Sequence, residues 1–109
     1  MKIAELVGEI DGKTASAVLE ALAPIVGAGN AMIVDMSGVG FMSSAGLRML
    51  LTLYRQAAAS KGRLVLVGLS EEIEETMDMT GFLPHFTVAK DIQSGMVAIL
   101  KQGQSHGTD

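Results

Sequence analysis

The chain has 109 residues, 49% of them hydrophobic, enough for one domain with a substantial core and too few for two. Cysteine is absent, which removes a disulfide framework, a thiol nucleophile and every Cys-based zinc site. A net charge of −4, eight scattered Lys and Arg and only 4% aromatic residues leave neither a basic stripe nor a base-stacking platform, so nucleic-acid binding is not expected.

Lys2 to Ile10 alternates loosely around Ile3, Leu6, Val7 and Ile10 and predicts a first strand, closed by the turn-prone Asp11-Gly12. From Thr14, a candidate N-cap, Val18, Leu19, Leu22, Ile25 and Val26 recur at helical spacing until Pro24 and Gly27 end the pattern. Ala31 to Met36 is an almost wholly apolar run between Gly29-Asn30 and Ser37-Gly38, as expected for a central strand buried on both faces. A second helix follows over about Ser44 to Ser60, with Leu47, Leu50, Leu51, Tyr54 and Ala58 as its core stripe and Arg48, Thr52 and Arg55 opposite.

Arg63 to Gly68 predicts another buried strand, and Ser70 caps a third helix whose first turn holds Glu71 and Glu72, acids that suit the helix dipole. Ile73, Thr76, Met77 and Thr80 form its inner side, Glu71, Glu74, Glu75 and Asp78 a solvated outer side, and Gly81 its end. Phe86 to Ala89 makes a last short strand, and Asp91 caps a final helix with Ile92, Met96, Ile99 and Leu100 inside.

Strands thus alternate with helices and no repeat or linker intervenes. The class is α/β, a single domain over residues 1–101 with a mixed sheet of four or five strands and about four helices packed against it. Residues 102–109 are expected to be a flexible tail. With no run of about 18 apolar residues and an acid at Glu5 before any signal-type region forms, a cytoplasmic protein without membrane insertion is expected.

The densest chemistry lies between Val34 and Leu47, where an apolar strand passes through small residues into an apolar helix. Gly38-Val39-Gly40 lacks the third glycine of a dinucleotide fingerprint, and Leu47 stands where a P-loop needs Lys. Ser44 has Gly46 after it but Met42 where a nucleophile elbow needs glycine, and His85 and His106 are the only imidazoles, so a triad lacks support. Asp35 at a strand end, with Glu9 and Asp11 as metal ligands, would suit a phosphoacceptor receiver, but the chain is short of five βα units and lacks that site's Lys. Nothing implies a cofactor, a resident metal or an enzyme.

A hydroxyl at a helix N-terminus is a natural seat for negative charge, and Ser44 is placed for it. In purely structural terms Ser44 is an N-cap, Ser37 a turn hydroxyl, and Gly38, Gly40 and Gly46 answers to tight backbone geometry. Met49 and Leu53, with Met42, either form an adaptable apolar partner surface beside Ser44 or belong to a wide core face.

Asp35-Met36-Ser37, then Phe41-Met42, then Ser43-Ser44-Ala45-Gly46-Leu47 resembles the signature of STAS domains of the anti-sigma factor antagonist family. Gly8-Glu9-Ile10-Asp11 with Thr14-Ala15, the strand Gly62 to Gly68, and Met79-Thr80-Gly81-Phe82 extend the resemblance over most of the chain. It implies a non-enzymatic switch that binds an anti-sigma factor with serine kinase activity when unphosphorylated, is released by phosphorylation at Ser44, and is reset by a serine phosphatase. Ser43 stands where the family usually has Asp, which bears on kinase recognition and makes Ser43 a competing acceptor. Many relatives have a further strand before the first, so one strand fewer is expected at the sheet edge. The other reading is a STAS interaction module without phosphoswitching, in a transporter-associated or stress-signalling complex.

Overall fold

The computed structural model describes residues 1–104, with side chains through Lys101, and its first strand runs into its first helix through one residue. β1 is Lys2–Ile10, α1 is Gly12–Gly27, and Asp11 between them is the N-cap. The Asp11 carboxylate accepts from the N–H groups of Lys13 and Thr14 at 2.9 and 3.1 Å, while Thr14 Oγ1 accepts from the Asp11 N–H at 2.9 Å. That reciprocal capping box makes Thr14 the third helical residue and not the cap, because Asp11 is still extended and Gly12 is already helical. Pro24 lies inside α1, which continues to Gly27.

Next come β2 (Ala31–Met42), α2 (Ser44–Ala59), β3 (Arg63–Val67), α3 (Glu71–Met79), a 3₁₀ turn at Leu83–His85, β4 (Thr87–Ala89) and α4 (Ile92–Gln104). The sheet order is β1-β2-β3-β4 and all three pairings are parallel, which corrects the expected mixed sheet. The reason is in the connections: every strand returns through a helix, and such crossovers restart the next strand in the same direction. Successive right-handed crossovers toward one edge leave α1, α2 and α3 on one face.

Period-two alternation divides the buried side chains accordingly. Met32, Val34, Met36, Leu64 and Leu66 join the larger core with Leu22, Val26, Leu50, Leu53, Ile73 and Met77. Ile33, Val65 and Val67 point the other way and meet Ile99 of α4. Tyr54 and Phe86 close the rim of the larger core edge to face, with ring centroids 5.6 Å apart.

Several boundaries differ from the pattern reading. β2 does not turn at Ser37-Gly38 but runs on to Met42, pairing Val7 with Gly38, Glu9 with Phe41 and Ile10 with Met42. Between Glu5 and Val7, and again between Val7 and Glu9, β2 carries one residue more than β1, so the strand is bulged twice. Thr76 and Thr80 are exposed, their hydroxyls bonded back to the carbonyls of Glu72 and Thr76 at 2.9 and 2.7 Å. On α4, Met96 and Leu100 face out, whereas Gly95 and Ile99 face the sheet: a Cβ at Gly95 would lie 2.7 Å from Val67 Cγ1, so glycine lets the helix close on β3. On α2, Leu51 and Tyr54 are half-buried and Ala58 is exposed. The tail expected from residue 102 begins inside α4, which runs to Gln104; residues 105–109 lie outside the described residues.

The caps carry a pH dependence. Asp11 is held below its ordinary value of 3.8 by the N–H groups of Thr14 and Lys13, and Asp91 by that of Ser94, whose N–H lies 2.8 Å from its carboxylate. A depressed folded pKa contributes stability that is fully present above the unfolded value and lost as pH falls through the folded one. Urea denaturation across the range below about pH 4 is therefore expected to show a shallower loss of stability in Asp11→Asn/Asp91→Asn than in the parent protein. Identical slopes would contradict the capping assignment.

Candidate functional site

The junction between β2 and α2 is fixed by backbone bonds before any side chain is considered. Ile10, the last residue of β1, accepts the Ser43 N–H at 2.9 Å, and Ser43 in turn accepts the Leu47 N–H at 3.1 Å as the first turn of α2 closes. Ser43, extended at φ −81°, is the N-cap, its hydroxyl accepting from the Gly46 N–H at 3.5 Å. Serine and aspartate cap comparably well, so a serine at this position keeps the helix start that an aspartate would give.

Ser44 is thereby the first helical residue and not the cap. It is exposed, and among the described residues no group bonds its hydroxyl. Its carbonyl accepts from Arg48 Nε at 3.5 Å, which brings the guanidinium along the same turn. The early N–H groups of α2 and its dipole give this point a positive potential.

Gly46 shows why the junction needs small residues. A Cβ there would lie 2.5 Å from Met42 Cγ, 3.0 Å from Ile10 Cγ2 and 3.2 Å from the Ile10 carbonyl oxygen. Gly46→Ala is expected to cost about 1–3 kcal/mol by overpacking and to lift the first turn of α2 off β1. Chemical denaturation gives the first effect and the amide NMR shifts of residues 42–48 the second; an unchanged midpoint would contradict the packing.

Of the two readings of Met42, Met49 and Leu53, partner surface or wide core face, the burial supports the second. Met42 is 7% exposed, Met49 4% and Leu53 0%, all three inside the larger core. Helix α2 is covered by the sheet and by α1 together, so it buries Gly46, Leu47, Met49, Leu50, Leu53 and Ala57, a wider face than one stripe. The exposed apolar group at this corner is Phe41, at 52%. It stands at the mouth of a cleft of about 180 Å³ whose other side is Glu72, Ile73 and Thr76 of α3. No period-two signal marked Phe41, because the two bulges leave Met36, Val39 and Met42 buried with two exposed residues between each; the contribution of α3 had no signal either, because it depends on tertiary packing.

The motif is also divided. Asp35 is buried at 8% exposure and its Oδ1 accepts the Ser37 N–H at 3.0 Å across the first bulge of β2. Asp35 and exposed Ser37 line a different cleft, beside the start of α4, while Met42 and Leu47 line the cleft against α3. Asp35 and Ser37 thus shape the strand, whereas Ser43, Ser44, Ala45 and Gly46 form the helix start. Glu9 pairs with Phe41 and Asp11 caps α1; among the described residues no three acidic or histidine side chains gather to hold a metal ion. No described helix is long and apolar enough to cross a membrane.

The STAS domain family matches residues 1–95. The chain is 33% identical over 99 residues to BtrV of Bordetella bronchiseptica, whose name assigns it provisionally to the anti-sigma factor antagonists, covering 90% of this chain and 85% of that protein. The crystal structure of an anti-sigma factor antagonist from Mycobacterium paratuberculosis superposes with a TM-score of 0.79 at 25% identity, over 90% of this chain and 84% of that one. The Bacillus cell fate determinant SpoIIAA in its phosphorylated form shares the fold, with a TM-score of 0.65 at 22% identity over 84% of each chain. On its family match, its relatives and its architecture, the chain belongs to the STAS domain family, among the anti-sigma factor antagonists.

Proposed function

We propose that this protein is a partner switch that binds a kinase-type anti-sigma factor through the corner around Ser44 and is released when Ser44 is phosphorylated. The observation that carries the reading is the setting of Ser44: exposed, unbonded at its hydroxyl among the described residues, and on the first turn of α2, where the strand that carries exposed Phe41 ends. A phosphate there adds about −1.5 to −2 charges to a surface that must lie flat against a partner. The positive end of α2 tolerates that charge within the free protein, whereas a docked partner has to desolvate it. The fold survives modification and the complex does not. All the chemistry is done to the protein, by the kinase and by a serine phosphatase that resets it in the cytoplasm.

Intact-mass analysis with site mapping, after incubation with ATP and the kinase-type anti-sigma factors of the same organism, tests this. The expected result is one phosphate, retained in Ser43→Ala and lost in Ser44→Ala. A phosphate lost only in Ser43→Ala would move the switch to the capping residue, and no phosphate with any such kinase would overturn it.

A further inference from the structure

We propose that the cleft between the first bulge of β2, the C-terminal end of β3 and the start of α4 binds a small aliphatic ammonium or guanidinium ion, held by Asp35. This inference is independent of the partner-switching reading, since the cleft lies on the α4 face of the sheet. It measures about 400 Å³, within the size range of small-ligand pockets, and is lined by Asp35 and Ser37 of β2, Val67 and Gly68 at the end of β3, and residues 90–93.

Asp35 is the group in it that asks for a partner. It is the buried charged residue of the described chain, at 8% exposure, and Oδ1 is committed to the Ser37 N–H. Among the described residues no donor reaches Oδ2. A carboxylate oxygen that faces a cleft from a largely buried side chain and has no protein donor is satisfied best by a charged N–H donor. Gly68 at φ +71° backs the Asp35–Ser37 turn closely, for a Cβ there would lie 3.0 Å from the Ser37 nitrogen and 3.1 Å from Asp35 Oδ1.

Charge and shape select the ligand. The charged groups lining the cleft are Asp35 and Asp91 against Lys90, a net of −1 that favours a monocation. Asp91 is already engaged by the Ser94 N–H, and Lys90, exposed, forms no pair with Asp35. Val67 and Ile92 give the wall an apolar stretch suited to an alkyl stem behind the charged head.

The test is an amide NMR titration of the full chain with n-butylammonium and n-butylguanidinium chloride, with 1-butanol and sodium chloride as controls. The expected result is saturable shifts at Asp35, Ser37, Gly68 and residues 90–93 with a Kd of roughly millimolar strength, and no comparable response to either control. Asp35→Asn, whose amide oxygen still accepts from Ser37, should weaken binding about tenfold or more, while Lys90→Ala should strengthen it by removing a competing cation. Equal shifts from 1-butanol, no saturable response, or unaltered affinity in Asp35→Asn would overturn the proposal. Should Asp35→Asn fail to fold, weaker binding by Lys90→Ala overturns it instead.

Discussion

Ser44→Glu is expected to weaken binding to the anti-sigma partner by about a hundredfold, the effect of placing one unpaired charge in a docked surface. Position 44 is the first helical residue of α2 and its side chain is exposed, so the substitution meets no steric obstacle in the free protein. An acid in the first turn of a helix is stabilising by about 0.3–1 kcal/mol, so the melting temperature should hold or rise slightly as affinity falls. That opposition separates a switch from mere damage. Ser44→Ala should bind as the parent protein does, because among the described residues its hydroxyl supports nothing in the fold. Calorimetric titration of the partner into each variant reads the effect; parental affinity in Ser44→Glu would remove Ser44 from the interface.

The second large effect is on the fold that presents this corner. Leu50 is 0% exposed, midway along α2 in the larger core, where it backs the sheet beneath the junction. Leu50→Ala removes those contacts and leaves a cavity that helices pinned by caps at both ends cannot fully close, costing about 2–5 kcal/mol. For a domain of this size that is a large share of total stability. Urea denaturation should show a lower midpoint with an unchanged slope. Met79→Ala, at a site 79% exposed, should stay within about 0.5 kcal/mol of the parent and serves as control. A loss in Leu50→Ala below about 1 kcal/mol would mean that α2 is not seated as described.

What could be read from the residues, and what could not, follows from range. Elements set by local chemistry were legible: Ser70 caps α3, Asp91 caps α4, and the apolar runs at Ala31 and Arg63 are the two inner strands. The α2 start at Ser44 was legible too, although the cap proved to be Ser43. Features set by neighbours distant in sequence were not. Ser37-Gly38 reads as a turn, yet β1 supplies an edge that carries β2 on through two bulges. Met49 and Leu53 read equally as a partner surface or as a wide core face, and only the cover of α1 and the sheet decides for the core. Met96 and Leu100 read as core residues of α4, yet Gly95 is what meets the sheet, because the smallest residue allows the closest approach. Within the motif, its division was not legible: Asp35 and Ser37 line the cleft beside α4, whereas Phe41 and Met42 line the one against α3.

The most direct measurement is binding of the cognate kinase-type anti-sigma factor to two forms of this protein, one unmodified and one carrying phosphoserine at position 44 installed during synthesis. Partner switching predicts a stable complex with the first and at least a hundredfold weaker one with the second, both forms being equally folded. Equal affinity for the two forms would contradict it, leaving a STAS module whose binding is controlled by other means.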